Sequence, residues 1–196
     1  DARTLRTAIG QVVFAAATEE SRPVLAGVKL ELEDDNFTIA AADGFRLAVH
    51  KSKLVEPVTE PSSAIVPART LNELNRFLAD QEAPVEMMIS PTKGQVLFQL
   101  ENIQMVSQLI QGTFPNYSQL IPQNYQTRTV FNSQELLRAA RSSSIFARDG
   151  SGIIRLQMNP IKTDSDSDPL PGRVVLSARA EEMGDHQYEV ETVIEG

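Results

Sequence analysis

The 196-residue chain reads as an α+β protein built from one supersecondary unit used three times, a helix followed by three strands. Three observations predict this. Helix-type apolar spacing begins near Thr4, Thr70 and Asn132. Each helical stretch is followed by three short segments of strand-type alternation. The repeat length is about 60–70 residues, too long for most solenoids and suited to a supersecondary unit. Helices gathered on one face and sheet on the other make an extended surface, which suits holding or surrounding something more than performing chemistry.

The first helix is expected over Thr4–Ala17, with Leu5, Ile9, Val12 and Ala16 as its apolar stripe and Arg3, Arg6 and Gly10 on another face. Val28, Leu30 and Leu32 alternate with Lys29, Glu31 and Glu33, the signature of a half-buried strand. Asp35-Asn36 is read as a turn, followed by alternation at Phe37, Ile39 and Ala41. Asp43-Gly44 is a second turn signal, leading into a strand with Leu47 and Val49.

In the second unit, Thr70 and Glu73 have capping-box spacing, and Leu71, Leu74 and Leu78 form the stripe. Asn72, Asn75 and Arg76 fall away from it. Strands are expected at Val85–Ile89, Val96–Leu100 and Ile103–Leu109, with Lys93-Gly94 as a hairpin turn. In the third unit, Asn132 and Glu135 repeat the cap spacing. Leu137, Ala140 and Ile145 are expected inward, and Arg138 and Arg141 elsewhere. Strands follow at Ile153–Met158, Arg173–Ala178 and Tyr188–Ile194. The Asp-, Ser-, Pro- and Gly-rich stretch Asn159–Gly172 reads as a long, mobile, solvated hairpin loop. The first two units are expected to pair into a domain of ~120 residues, each covering the other's apolar edge. The third lacks a partner within the sequence, so its complement is expected from a removed half or from another chain.

Hydrophobic content of 41% and charged content of 22% are ordinary for a globular protein. The sequence has neither an apolar run near 18 residues nor a signal-peptide pattern, so no membrane association is expected. It opens on Asp1 and not Met, as expected of a piece of a longer protein. The absence of Cys excludes disulfides and thiolate metal sites and is compatible with an intracellular home. A net charge of −8 argues against a uniformly basic nucleic-acid binder, but not against positive charge gathered on one face.

Catalytic patterns are missing. No Walker or Rossmann glycine loop occurs. His50 and His186 lie on or beside different strands and read as surface residues. Gly150-Ser151-Gly152 falls short of a nucleophile elbow and reads as a turn. Asp164, Asp166 and Asp168 open like a calcium loop, but Pro169 stands where Gly is needed and Val175 where the bidentate Glu belongs, so a solvated acidic loop is the better reading. The carboxylate pairs Glu19-Glu20, Asp34-Asp35 and Glu181-Glu182 sit in turns or helix ends, with nothing to hold them face to face. No enzyme activity, metal or cofactor is expected.

Several strings carry a family resemblance. Glu20-Ser21-Arg22-Pro23-Val24-Leu25-Ala26-Gly27-Val28, Ala42-Asp43-Gly44-Phe45-Arg46-Leu47-Ala48, Gly112-Thr113-Phe114-Pro115-Asn116-Tyr117 with Leu120-Ile121-Pro122, and Phe146-Ala147-Arg148-Asp149 occur in order on the expected units. Together they resemble the bacterial DNA polymerase III beta subunit, the sliding clamp. The resemblance spans essentially the whole chain: a middle clamp domain over 1–122 and the first half of the third domain over 123–196. It implies the DNA clamp fold, antiparallel sheets outside and helices on the inner face.

The resemblance implies a cytoplasmic, non-catalytic processivity factor. When full length, it would close as a homodimer ring around double-stranded DNA. Sliding requires phosphate contacts without base readout. Arg6, Arg76, Arg138 and Arg141, all off the apolar stripes, are the candidates to face DNA, with the acidic excess outside. The resemblance also implies a hydrophobic pocket between the middle and third domains. There, short motifs of the polymerase alpha subunit, the clamp loader and repair proteins would dock. The matching positions are Leu25, Ala42, Gly44, Phe45, Arg46, Leu47, Pro115 and Leu120. Ala42 stands where the family often has Thr, and Phe45 where His is common, so the rim is more apolar and a shifted motif preference is expected. Phe146 matches an apolar position of the dimer interface. A β-rich peptide-binding scaffold unconnected to DNA is the alternative; the helix arginines discriminate against it.

Overall fold

In a computed structural model, residues 1–19, 21–90, 92, 94–148, 150–160, 170–182 and 184–195 are described. The chain forms two compact units, Asp1–Leu120 and Ile121–Gly196.

The first unit opens with helix α1 (Ala2–Val12), which a 3-10 turn (Val13–Ala15) continues. The helix starts earlier than Thr4 because the Asp1 carboxylate caps it, accepting the Thr4 N–H at 2.7 Å. Strands β1 (Gly27–Glu33), β2 (Asn36–Ala42) and β3 (Leu47–Lys53) follow as an antiparallel meander. The first turn is Asp34-Asp35 and not Asp35-Asn36, since Glu33 pairs with Asn36 across the hairpin. Asp34 takes the left-handed conformation (φ 52°) that Asp tolerates better than most side chains.

A strand absent from the sequence expectation, β4 (Ser62–Pro67), pairs antiparallel with β1 and runs directly into α2 (Ala68–Phe77). The four-stranded sheet therefore has the order β3-β2-β1-β4. The capping box expected at Thr70 does not form. The helix begins two residues earlier with Pro67 at its cap position, and the Thr70 hydroxyl instead pairs with Ser107 Oγ at 2.8 Å. Strands β5 (Glu86–Ser90), β6 (Gln95–Gln99) and β7 (Gln104–Gln108) make a three-stranded antiparallel sheet. Lys93 of the expected Lys93-Gly94 turn lies outside the described residues; Gly94 itself has φ +61°.

Packing follows the apolar stripes. Ile9 and Val12 of α1, Leu71 and Leu74 of α2, Leu30 and Ile39 of the four-stranded sheet, and Val96 and Phe98 of the three-stranded sheet belong to one buried cluster. Strand β2 is covered on both faces: Ala40 and Ala42 point the other way, against Ile65, Phe114 and Tyr117.

The second unit has β8 (Arg128–Val130), α3 (Ser133–Arg148), β9 (Arg155–Pro160), β10 (Leu170–Ala180) and β11 (Gly184–Glu195), in the sheet order β8-β11-β10-β9. Asn132 caps α3 as expected, its Oδ1 accepting the N–H groups of Gln134 and Glu135 at 3.0 and 3.2 Å. The inward stripe of α3 is corrected in part, since Ala140 packs, partly buried, against the sheet cluster. Ala139, Ser143 and Ala147 are buried, whereas Leu137 and Ile145 are exposed. The helix is rotated because small residues let it approach Val174, Leu176 and Val190 of the sheet closely. Both neighbouring strands extend into the expected Asn159–Gly172 loop, with Pro160 paired to Gly172. Residues 161–169, with the aspartates of the calcium-like pattern, lie outside the described residues.

With β4 and β8 included, the second and third repeats are each one strand, one helix and three strands, and the first is a helix and three strands. No helix among the described residues is long and apolar enough to cross a membrane.

Candidate functional site: a turn-lined cavity and arginine-bearing helices

The tight connection between β2 and β3 is organised by Asp43. Its Oδ1 accepts the N–H groups of Phe45 and Arg46 at 2.9 and 3.0 Å, and its Oδ2 accepts from Arg46 Nε at 2.9 Å. The two backbone N–H groups, then Arg46, hold the Asp43 carboxyl below its ordinary value. Gly44 sits at φ +95°, a conformation that L side chains rarely adopt, so the turn can be this short. The result projects Phe45 into solvent at 99% exposure. A single large apolar side chain so fully exposed adds no stability to its own fold by burial.

This turn forms one wall of a cavity of about 430 Å³. Ala17, Thr18, Glu19, Ser21 and Arg22, from the segment leaving α1, form the other. Of the eight expected docking residues, Gly44, Phe45 and Arg46 line it. Leu25 and Ala42 are buried, and Leu47 is half-buried in the apolar cluster of Phe114 and Tyr117. Pro115 and Leu120 are exposed on the stretch beyond.

That stretch is strapped to the sheet. Tyr117 donates its hydroxyl to Glu31 Oε2 at 2.5 Å, and Lys29 Nζ pairs with Glu31 Oε1 at 2.6 Å while lying 5.6 Å from the Tyr117 ring centroid. Phe114 meets Tyr117 edge-on at 6.4 Å. Burial, then the neighbouring Glu31 carboxylate, pushes the Tyr117 hydroxyl well above its ordinary value. For Glu31, burial pushes upward, but the hydrogen bonds from Lys29 and Tyr117 and the charges of Lys29 and Lys51 prevail and hold it low. Gly112 (φ +133°) admits this route, since a Cβ there would lie 2.7 Å from Val24 Cγ2.

The helices carry the second candidate feature. Across α1, α2 and α3 stand seven arginines and only two acidic residues, in a chain of net charge −8. Arg6, Arg138 and Arg141 are exposed. Arg76 is exposed too, but pairs with Glu73 at 3.1 Å. On α3, Arg138 and Arg141 share the exposed side with Leu137 and Ile145. Phe146 is half-buried and stacked on His186, the ring centroids 4.7 Å apart and the planes within 3°. His186 Nε2 lies 3.2 Å from Ser142 Oγ.

Sequence reasoning missed Arg22 and Phe14 near the cavity and Arg3, Arg69 and Arg148 on the helices. Arg22 lies inside a string already singled out, and Phe14 is an aromatic off its helix's apolar stripe; both were available signals. Glu20 and Asp149 of the quoted strings lie outside the described residues. Among the described residues no group of His, Cys, Asp and Glu could hold a metal ion.

Comparison with known proteins shows the family. Residues 1–116 match the family described as DNA polymerase III beta subunit, central domain. The chain is 34% identical over 182 residues to the beta sliding clamp of Bacillus subtilis, covering 91% of this chain and 48% of the relative. It is 33% identical over 189 residues to the beta sliding clamp of Staphylococcus aureus, covering 96% and 47%. The crystal structure of the DNA polymerase sliding clamp from Bacillus subtilis superposes with a TM-score of 0.84 at 30% identity, covering all of this chain and 49% of that one. The DNA polymerase III beta chain from Streptococcus pneumoniae gives 0.85 at 28%, with the same coverage. The chain thus spans about half the length of the curated relatives it matches.

Proposed function

Because the chain belongs to the DNA polymerase III beta subunit family, we propose that it serves as part of a ring-forming processivity factor that encircles duplex DNA and docks replication proteins. In this reading residues 1–122 are the middle domain and 123–196 the first half of the third. The role is non-catalytic: the ring holds a polymerase on its template.

The observation that carries the DNA arm is the charge asymmetry. A chain with eight surplus negative charges keeps seven arginines against two carboxylates on its helices. Guanidinium groups there would contact phosphates without reading bases, which permits sliding. Acidic surface elsewhere would repel DNA from the wrong face. A peptide-binding scaffold unconnected to DNA gives no reason for this segregation. Arg6, Arg138 and Arg141 are the stronger DNA-facing candidates, since Arg76 is partly neutralised by Glu73.

The docking arm rests on the cavity between Arg22 and the Asp43–Arg46 turn, with Phe45 exposed beside it. In this reading the half-buried Leu47 and the exposed Pro115 and Leu120 would add apolar contact for the peptide, and the buried Leu25 and Ala42 would back them. The occupants would be short motifs of the polymerase alpha subunit, the clamp loader and repair proteins. Phe146 would join an apolar contact between the two chains of the ring, in the cytoplasm.

A labelled peptide carrying glutamine followed by spaced leucine and phenylalanine tests the docking arm by residue-resolved NMR. Shifts clustered at Gly44, Phe45, Arg46, Leu47 and Pro115 are expected. Saturating peptide that moves none of these signals would defeat the docking assignment. For the DNA arm, Arg138→Glu with Arg141→Glu in a reconstituted ring is expected to shorten retention on circular duplex DNA; unchanged retention would mean those arginines face elsewhere.

A further inference from the structure

Phe14 departs from the packing around it. Its neighbours Val13 and Ala15 are buried, yet Phe14 is 59% exposed. The 3-10 turn after α1 swings it off the helix stripe and toward the β2–β3 turn. There the Arg46 guanidinium carbon lies 5.7 Å from the ring centroid, within the range of a cation–π contact.

Arg46 is therefore held at two points. Asp43 takes its Nε on one edge, and the Phe14 ring supports the guanidinium. Among the described residues its two terminal nitrogens make no hydrogen bond. Those nitrogens are the donors a planar guanidinium offers to a carbonyl or carboxylate oxygen of a ligand. Arg46 also lines the cavity.

From this geometry we infer that Phe14 is a positioning residue for peptide docking, holding Arg46 with its outer donors free for the occupant of the cavity. The inference rests on the docking reading above. Without the ring, Arg46 keeps its tether to Asp43 but loses the support that restricts its outer torsions. A bound peptide would then have to order the guanidinium itself, which weakens binding. The aromatic face is what matters, so Tyr can replace Phe and Leu cannot.

The test uses fluorescence anisotropy of the same glutamine–leucine–phenylalanine peptide on this chain. Phe14→Leu is expected to weaken binding about two- to fivefold, the worth of an exposed cation–π contact. Phe14→Tyr is expected to bind like the parent. Arg46→Ala is expected to weaken binding at least as much, and adding Phe14→Leu to it to change nothing further. A ring-current shift on the Arg46 Nε proton, present without peptide and lost in Phe14→Leu, separates positioning from a general folding defect. Parent-like binding by Phe14→Leu, or an undiminished Phe14→Leu effect in the Arg46→Ala background, would overturn the inference while leaving docking intact. Absence of binding by the parent chain, or indifference to Arg46→Ala, would instead overturn the docking reading and the inference together.

Discussion

Strands β1 and β9 hold the same place in their repeats, each the first strand after a helix, and they meet different environments. β1 lies between β2 and β4, and its Leu30 is 1% exposed beneath α1 and α2. β9 pairs, among the described residues, with β10 alone. Its Leu156 and Met158 stand in register with the buried Leu176 and Val174, on the side of the sheet that α3 covers, yet are 48% and 41% exposed. One helix is too narrow to cover a four-stranded sheet. In the first unit the leading strand of the next repeat closes the edge and the second helix widens the cover. Burial at this position is therefore a property of paired repeats and not of the strand's own alternation.

The comparison can be broken most directly with charge. Leu30→Lys buries an unpaired ammonium group and is expected to cost about 4 kcal/mol or more, unfolding the first unit in a denaturation experiment. Leu156→Lys at the matching place is expected to stay within about 0.5 kcal/mol, because its ammonium group reaches water. Equal, large losses would show that the apolar side of β9 is covered in solution.

How much of this was legible depends on whether local pattern decided the outcome. The Asp43-Gly44 turn and the Asn132 cap were readable because short-range chemistry fixes them: a positive φ for Gly44, and carbonyl acceptance of two amides by Asn132. β4 was not readable. Its Ala64-Ile65-Val66 run is buried on both faces, so the period of two is erased, and prolines flank it. β8 has only three residues. On α3 the large apolar side chains Leu137 and Ile145 drew the stripe the wrong way, because close packing against the sheet favoured Ala139, Ser143 and Ala147. In the candidate site, Gly44, Phe45 and Arg46 followed from the family resemblance. The tether of Arg46 to Phe14 spans a long stretch of sequence and leaves no local trace.

The first unit has a further device, the Tyr117 strap, whose counterpart in the second unit is looser: Tyr125 donates to Glu195 at 3.4 Å beside Arg128. Tyr117→Phe removes a hydrogen bond to a carboxylate and is expected to cost about 1 kcal/mol, reduced by the partial exposure of Glu31. The effect should depend on pH. Glu31 is depressed in the folded protein, so its stabilisation is fully present above the ordinary carboxylate value of 4.5 and is lost as pH falls through the depressed value. The stability gap between Tyr117→Phe and the parent should therefore narrow on acidification below that value. A gap constant from neutral to strongly acidic pH would mean the hydroxyl acts by packing alone.

Helices α2 and α3 also differ in how they begin, although Thr70-x-x-Glu73 and Asn132-x-x-Glu135 look equivalent in sequence. Asn132→Ala removes an acceptor for two otherwise unsatisfied N–H groups and is expected to cost about 1 kcal/mol. Thr70 lies inside its helix and caps nothing, so Thr70→Ala gives up only the hydroxyl pairing with Ser107. Its backbone gains from the higher helix propensity of Ala, which offsets part of that loss. A change within about 0.5 kcal/mol is expected for Thr70→Ala. Chemical denaturation of both variants decides it: a Thr70→Ala loss equal to that of Asn132→Ala would restore Thr70 as a cap. The physical distinction is where the preceding residue leads. Pro67 ends a strand that turns straight into the helix, so the first turn of α2 is set by β4, whereas α3 follows a break after β8 and needs a side chain to start it.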